Sequence, residues 1–259
     1  MDLVAFGHNL WKAARGTATT WDAMQKIAWL YDQKLPKFFR KEERLINLCY
    51  ELPLGNVKLI VRSNYGADGF IVSEVFDHEY YNLNLSWTPK TVLDLGANIG
   101  LTSIYFSRVF NNVQLACVEP MPRNLDLLHR NLAINGVDAR VFEAAVDTSD
   151  GHTHMDIDQL DYGFKVAKEG LEVRTVSVPT VMAEMGWDTI DLLKIDIEGH
   201  ESAILKSSCD WLFAVNAICI EVHDDYTEND LIELALKYNF KPPRSLSGNW
   251  LIERFVERC

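Results

Sequence analysis

The sequence lacks the features that mark several large classes of protein. It has five cysteines in 259 residues, and none of them form a CxxC pair or another spacing typical of a structural metal site or a disulfide scaffold. No apolar run approaches the roughly 18 residues of a membrane span. Asp2 and Lys12 interrupt the amino-terminal segment, so we expect no signal peptide. These absences predict a cytoplasmic protein with reduced thiols and no membrane span.

The chain has fewer basic than acidic residues. Its 25 Lys and Arg and 37 Asp and Glu give a net charge of -12. Proteins that bind nucleic acids usually carry a basic surface. The composition therefore predicts that nucleic acid is not a partner. With 48% hydrophobic residues the chain can bury a full core, and its length fits one α/β domain with an extension or two small domains.

The most informative segment is TVLDLGANIG, which ends at Gly100. Its apolar half predicts a buried strand, and Gly96, Asn98 and Gly100 predict a tight turn into a helix over residues 101–110. Such turns bind nucleotide-like ligands because glycine lets the backbone approach the ligand. The glycine spacing of dinucleotide-binding proteins is missing. Asp94, two residues before the first glycine, suits S-adenosylmethionine (SAM), because a carboxylate can hold the amino group of this ligand.

Strands and helices alternate after residue 91. We predict further strands over residues 113–119, 139–146, 190–196 and 215–222. Between and after these strands we predict helices over residues 123–135, 181–185, 201–207 and 227–238. An inserted hairpin over residues 147–178 interrupts this order, and a closing hairpin is predicted over residues 241–255. Alternation of this kind predicts an α/β fold, with a mostly parallel sheet covered by helices on both faces.

The chain divides into three predicted regions. Residues 1–50 are predicted to be a helical extension or lid, residues 51–90 a β-hairpin lead-in with strands over 57–62 and 69–76, and residues 91–259 the ligand-binding core. Aromatic residues of the extension are expected to share one helix face. That face would pack on the core, cover an acceptor or allow a homodimer.

Ligands of such sheets bind beyond the carboxyl ends of the strands. The second core strand ends at Glu119, followed by Pro120, and a carboxylate at this position is placed to accept both ribose hydroxyls. Asn124 would either cap the next helix or contact the ligand. The third strand ends near Ala144 and Ala145, where small side chains would admit an adenine ring.

The fourth strand ends with an unusual set of charges. Alternation places Lys194, Asp196 and Glu198 on one side of the strand, which is costly unless the charges are paired or functional. Glu221 and His223 share a face at the end of the fifth strand. We expect these residues to meet, either as a self-satisfied ion pair or as the reacting end of a site.

Taken together, these segments resemble the FkbM family of SAM-dependent methyltransferases. The resembling segments are VLDLGANIG, Glu119-Pro120 with Asn124 behind it, KIDIEGHE ending at Glu201, EVH ending at His223, and a lead-in that contains Glu74. The resemblance covers roughly residues 70–225. It implies a class I methyltransferase (Rossmann-like) fold with a seven-stranded sheet. It also implies O-methylation of a small molecule, such as a sugar of a glycan or glycolipid or a polyketide-like secondary metabolite.

The resemblance and the strand ends together predict the cofactor site. SAM, which becomes S-adenosylhomocysteine (SAH), would be bound by Glu74, Asp94, Gly96, Asn98, Gly100, Glu119, Pro120, Asn124, Ala144, Ala145 and Asp196.

Methyl transfer to a hydroxyl needs help with the proton, because an alcohol is a poor nucleophile at neutral pH. His223 is the first candidate for the base, since histidine titrates near neutrality, and His200 is the second. Asp196 and Glu198 would orient the base or bind the hydroxyl, and Lys194 would fix their ionisation.

Three alternatives stay open at this point. The carboxylates and His223 are ligands that suit magnesium, although the set is not distinctive and we predict no metal. A scaffold protein could bind SAM without catalysis. The methyl acceptor could also be a nitrogen or a carboxylate, and a hydroxyl acceptor could be bound to a carrier.

Overall fold

The computed structural model describes residues 16–34, 43–52, 55–63, 67–156, 166–167, 169–207, 209–223 and 226–254. Its strands are β1 (Leu45–Tyr50), β2 (Val57–Arg62), β3 (Thr91–Leu95), β4 (Gln114–Glu119), β5 (Ala139–Glu143), β6 (Ala145–Val146), β7 (Gly151–Met155), β8 (Val166–Ala167), β9 (Leu171–Val176), β10 (Ile190–Ile195), β11 (Val215–Ile220), β12 (Arg244–Ser245) and β13 (Trp250–Glu253). Its α-helices are α1 (Thr20–Lys34), α2 (Ala67–Val72), α3 (Leu101–Val109), α4 (Pro122–Ile134), α5 (Val178–Met185), α6 (Glu201–Leu205) and α7 (Glu228–Lys237).

A seven-stranded sheet in the order β12-β13-β11-β10-β3-β4-β5 forms the centre of the molecule. The five strands from β11 to β5 pair in parallel, and β13 pairs antiparallel with β11 and β12. This arrangement confirms the predicted α/β class with its mostly parallel seven-stranded sheet. It also confirms the closing hairpin at the carboxyl end of the chain.

Alternation along the strands explains why the sheet is covered on both faces. Val92 and Leu192 belong to one apolar cluster, which includes Ile104 of α3. Leu93 and Leu193 belong to a second cluster with α5, α6 and α7. Burial of both faces stabilises the sheet and leaves its carboxyl edge as the place where polar groups can gather.

The register brings the predicted strand ends to one edge. Leu95 pairs with Val118 of β4 and with Ile195 of β10, and Ile195 in turn pairs with Ile220 of β11. The loops that follow β3, β4, β10 and β11 therefore leave the sheet side by side.

The lead-in differs from the prediction. Residues 69–76 are helical, because α2 is followed by a π-helical turn, Ser73–Asp77, so the strand predicted there is wrong. The hairpin is instead made by β1 and β2, which pair antiparallel, and β1 lies in the segment predicted to be helical. The buried carboxylate of Asp68 accepts hydrogen bonds from the backbone N–H and guanidinium of Arg62, which fixes α2 against β2.

Two further predictions need correction. The strand predicted over residues 139–146 ends at Glu143, and β6 pairs with β9 in a separate four-stranded sheet. The aromatic face of α1 is not uniformly buried, since Trp29 is 1% exposed whereas Trp21 is 67% exposed. Residues 1–15 of the predicted helical extension lie outside the described residues.

The inserted hairpin is confirmed, because β7 and β9 pair antiparallel between residues 151 and 175. Thr227 is the N-cap of α7, as predicted, and forms a capping box with Asp230. Cys117 and Cys219 are fully buried, as expected of small apolar side chains. Among the described residues, no helix is both long and apolar enough to cross a bilayer.

Candidate functional site

A cavity lies at the carboxyl edge of the sheet. Its wall is made by the glycine turn after β3, the end of β4 with the start of α4, the small residues after β5, and the loops after β10 and β11. The π-helical turn closes the side away from the sheet with Glu74 and Val75. The cavity thus lies where ligands bind in parallel α/β sheets.

The glycine turn needs the residues that the sequence provides. Gly96 has a φ of +76°, and a Cβ atom there would lie 1.9 Å from the carbonyl oxygen of Asp196. The N–H groups of Gly96 and Ala97 both donate to the carbonyl of Val118 at 3.0 Å. No L side chain fits the first position, so the turn can approach the β10 loop and the ligand only with glycine.

Gly100 has a structural role at this turn. It has a φ of +84°, is the N-cap of α3 and faces Leu128 rather than the cavity. Asn98 lines the cavity with a φ of 48°. Asn98 is therefore part of the cavity wall, whereas Gly100 is not.

Glu119 is held firmly at the end of β4. It is 4% exposed, and its carboxylate accepts hydrogen bonds from the backbone N–H groups of Asn98 and Met121, both at 2.9 Å. The side-chain amide of Asn124 donates to the same carboxylate at 3.3 Å, while burial raises the pKa of Glu119. A fixed carboxylate on the cavity wall can accept bonds from ligand hydroxyls.

Asn124 is predicted either to cap the helix after β4 or to contact the ligand. The N-cap of α4 is Met121, and no side chain caps it. Asn124 lines the cavity and accepts a hydrogen bond from Arg62 at 3.0 Å. It therefore connects the wall to the hairpin and orients Glu119. Pro120, Ala144 and Ala145 also line the cavity, next to this carboxylate.

Asp94 lies behind the cavity wall rather than on it. It is 0% exposed, accepts a hydrogen bond from the Ser103 hydroxyl at 2.7 Å and lies 3.1 Å from the Lys194 ammonium. The sequence analysis expected Asp94 to hold the amino group of the ligand. Its carboxylate is instead neutralised by Lys194, because the two residues pair across β3 and β10.

Lys194 lines the cavity and connects several groups of its wall. Its ammonium donates to the carbonyls of Gly96 at 2.7 Å and Leu95 at 3.3 Å, and lies 3.5 Å from the carboxylate of Asp196. Burial lowers the pKa of Lys194, but Asp94 and Asp196 outweigh burial and hold the pKa above its ordinary value. Lys194 is therefore a permanent cation, and the predicted link to Asp196 is present.

The far end of the cavity is acidic, since Glu74, Asp196, Glu198 and Glu221 all line it. Burial, followed by the neighbouring charges of Glu221 and Asp196, raises the pKa of Glu74 to about 8. Burial and Asp196 also raise the pKa of Glu198. The sequence prediction that these charges meet is correct, and Glu74 joins them from outside the sheet.

His223 differs from the base that we expected. Its Nδ1 lies 3.0 Å from Glu201, and its Nε2 lies 3.5 Å from Glu221 and 3.9 Å from Glu198. Hydrogen bonds to Glu201 and Glu221 raise the pKa of His223 to about 11. An imidazole with this pKa is protonated at neutral pH and cannot accept a proton in that state. The second candidate, His200, lines the cavity and lies 3.4 Å from Asp147.

Three contributors to the site were missed from the sequence. Glu201 is fully buried and orients His223, although it is part of the charged segment after β10. Met155 lines the cavity from the inserted hairpin. The buried pair of Arg62 and Asp68 supports Asn124. Only Glu201 had a signal in the sequence, because it is the last residue of the charged segment that follows β10.

Ligand atoms of Asp196, Glu221 and His223 lie within 4.8 Å of one another and could hold a metal ion. The neighbouring wall, with Asn98, Glu119 and the two alanines, could hold a nucleoside. The cavity therefore has two chemically different ends.

Comparison with known proteins assigns the site to a family. Residues 94–242 match the model of the methyltransferase FkbM domain, which is more than half of the chain. Methyltransferase sdnD of Sordaria araneosa is 30% identical over 183 residues, with 53% of this chain and 67% of the relative covered. The 31-O-demethyl-FK506 methyltransferase FkbM of Streptomyces tacrolimicus is 26% identical over 212 residues, which cover 67% of this chain and 81% of the relative.

The crystal structure of methyltransferase FkbM from Methylobacillus flagellatus KT has a TM-score of 0.49 and 15% identity to this chain. The alignment covers 97% of this chain and 60% of that chain. The match of the domain model includes the glycine turn, Glu119, and the charged ends of β10 and β11. The chain therefore belongs to the FkbM family of methyltransferases.

Proposed function

We propose that this methyltransferase uses SAM to methylate a hydroxyl group of a small molecule. The observation that carries the proposal is the division of one cavity into a wall suited to a nucleoside and an acidic end. The two ends would place a methyl donor and a hydroxyl acceptor side by side, which is what an in-line displacement requires.

The donor would occupy the wall between Gly96 and Ala145. The fixed carboxylate of Glu119 would accept the ribose hydroxyls, and the small side chains of Ala144 and Ala145 leave room for adenine. The carboxylate of Glu74 is a suitable partner for the ammonium of SAM, since Asp94 and Asp196 both lie within 3.5 Å of the Lys194 ammonium.

The acceptor would enter the acidic end. Carboxylates accept hydrogen bonds from hydroxyls, so Glu198 and Glu221 favour a sugar or another polyhydroxylated acceptor. They disfavour a carboxylate acceptor, because like charges would be brought together in a half-buried site. Alignment of oxygen, methyl carbon and sulfur can supply about 7–11 kcal/mol of the rate enhancement.

The name of one relative is consistent with an oxygen acceptor. The Streptomyces tacrolimicus relative is named a 31-O-demethyl-FK506 methyltransferase, which is a name for methylation at oxygen. We take its substrate only as support for the reaction class. The acceptor of this chain could be free or attached to a carrier.

A label-transfer experiment tests the proposal. The protein is incubated with methyl-labelled SAM and a panel of methyl glycosides, and with an extract that contains metabolites bound to carriers. Label in a base-stable ether product supports O-methylation. Label in a base-labile ester or in an amine contradicts it, and tight SAM binding without any transfer favours a scaffold.

Glu119→Gln is the test variant for cofactor binding, and Glu143→Gln is its matched control. Glu143 lies opposite Glu119 in the register of β4 and β5, but its side chain is 63% exposed and faces His129. We expect Glu119→Gln to lose SAM binding by calorimetry, and Glu143→Gln to keep it. Equal SAM affinity in both variants would refute the assignment of the donor wall.

A further inference from the structure

The ends of β10 and β11 bring three metal-ligand side chains together. Asp196, Glu221 and His223 each offer one ligand atom, and these atoms lie within 4.8 Å of one another. Two atoms bound at about 2.1 Å from Mg²⁺ can be at most about 4.2 Å apart. At least two of the three separations around an octahedral cation are only about 3.0 Å. His223 Nε2 and Glu221 already lie 3.5 Å apart, and rotamer adjustments of at most about 2 Å would bring the three ligand atoms to one cation.

The histidine is oriented as it is in metal sites. A metal-binding histidine usually donates its second ring N–H to a carboxylate that is not itself a ligand. Glu201 has this position, because it is 0% exposed and its carboxylate lies 3.0 Å from Nδ1 of His223. The other nitrogen, Nε2, is thereby directed toward Glu221 and Glu198. A bound cation would replace the proton on Nε2, because a histidine that binds a metal is neutral.

The charge around these residues is the second, independent observation. Glu74 and Glu198 lie at the same end of the cavity as Asp196 and Glu221. Lys194 is shared between Asp94 at 3.1 Å and Asp196 at 3.5 Å, and His223 lies among three glutamates. The carboxylates therefore outnumber the cations at this end of the cavity. Assembled carboxylates repel one another. A bound cation would relieve the repulsion.

We propose that a divalent cation of the Mn²⁺ or Mg²⁺ type binds between Asp196, Glu221 and His223 and holds the hydroxyl of the methyl acceptor. Carboxylates favour these hard cations, and the imidazole favours Mn²⁺ over Mg²⁺. A divalent cation lowers the pKa of an oxygen that it binds. The O–H proton leaves to water, the C–O bond forms from the oxygen electron pair, and the C–S bond breaks with its electrons going to sulfur.

The binding of the cation does not depend on the proposed function, whereas its role toward the acceptor rests on it. The first experiment therefore measures Mn²⁺ alone. The full-length protein is freed of metal with EDTA and titrated with Mn²⁺, and the free ion is followed by electron paramagnetic resonance. We expect one Mn²⁺ per chain, and at least about tenfold weaker binding in His223→Gln and in Glu201→Gln.

Glu172→Gln is the control variant, because Glu172 is an exposed residue of the inserted hairpin. It should bind Mn²⁺ like the wild type. SAH affinity and circular dichroism are measured for every variant to separate a lost site from a lost fold. Equal Mn²⁺ binding in wild type and His223→Gln would overturn the proposal. Loss of Mn²⁺ binding when SAH is added would also overturn it, since the cation position would then belong to the cofactor.

The second experiment adds the acceptor found by label transfer. EDTA should reduce methyl transfer at least about tenfold, and Mn²⁺ should restore it. Full transfer in EDTA would refute a role in the reaction. The two proposals can fail separately. If the wild type binds one Mn²⁺, His223→Gln does not, and no hydroxyl is methylated, the proposed function is contradicted but the cation site is supported.

Discussion

At the scale of single residues, the site depends on contacts that join distant parts of the sequence. Lys194 and Asp94 pair because β10 and β3 are neighbours in register, and Gly96 touches Asp196 for the same reason. The sequence identified all four residues as functional, since charges and glycines at strand ends are unusual. It could not show that Asp94 faces Lys194 instead of the ligand, because the pairing depends on sheet order.

Removal of the Lys194 charge should destabilise the protein. Lys194→Met leaves the buried carboxylate of Asp94 without its counterion, and breaking a buried pair costs about 3–5 kcal/mol. Urea unfolding followed by fluorescence measures the change in the free energy of unfolding. The double variant Asp94→Asn with Lys194→Met should recover part of the loss. A double variant as unstable as the sum of the singles would contradict the pairing.

A pair of glycine variants tests the contact between the two loops. Gly96 and Gly136 both have positive φ, but a Cβ meets Asp196 only at Gly96, whereas nothing lies within 4 Å at Gly136. Gly136→Ala should cost only the backbone strain of about 1–2 kcal/mol. Gly96→Ala should also displace the β10 loop, and a shift on the order of 1 Å can lower a rate about 100-fold.

Label transfer and thermal unfolding on both glycine variants distinguish these effects. Similar losses of activity in the two variants would show that backbone strain, and not the contact with Asp196, explains the effect of replacing Gly96.

At the scale of secondary structure, the core elements were predictable and the lead-in was not. The strands β3, β4, β10 and β11 are apolar runs that are buried on both faces, and such runs can be recognised in the sequence, as can the N-cap Thr227 of α7. The segment from residue 69 to 76 is a short apolar run, and such runs fit a helix or a strand equally well. Its helical form is fixed by Asp68, whose partner Arg62 lies on β2.

The cap of α7 gives a prediction with a defined pH dependence. Hydrogen bonds from Lys206 and Thr227 lower the pKa of Asp230 to about 2. Because this pKa is below that of the unfolded chain, Asp230 stabilises the protein above about pH 4. The contribution is lost as the pH falls toward 2.

Thr227→Ala should lower the free energy of unfolding by about 1 kcal/mol at pH 7. The stability difference between wild type and Asp230→Asn should shrink between about pH 5 and pH 2, which urea titrations at several pH values can measure. A difference that grows over this range would contradict the assigned role of Asp230.

At the scale of the whole molecule, the net charge of -12 and the acidic end of the cavity have the same sign. Charge composition was enough to argue against a nucleic-acid partner, but it could not locate the acidic groups in one cavity. Their convergence needs the order of the sheet and the approach of Glu74 from the π-helical turn.

The negative charge at the acidic end of the cavity should make the binding of SAM and of SAH respond differently to salt. SAM carries a sulfonium cation and SAH does not, so added salt should weaken SAM binding more than SAH binding. Calorimetry at about 0.01 M and 1 M ionic strength, where the Debye length falls from about 30 Å to 3 Å, measures both affinities. An equal salt dependence of the two ligands would show that the field of the carboxylates does not reach the sulfonium position.

The contact between Gly96 and Asp196 also sets which parts of the protein can move. The glycine turn and the β10 loop touch backbone to backbone and are further tied by Lys194, so the two strand loops form one rigid block. We therefore expect the wall made by Phe70, Ile71 and Glu74, and not the sheet edge, to adjust its shape when a ligand binds. Because the buried pair of Arg62 and Asp68 ties α2 to β2, this wall should shift together with the hairpin and not by the helix alone.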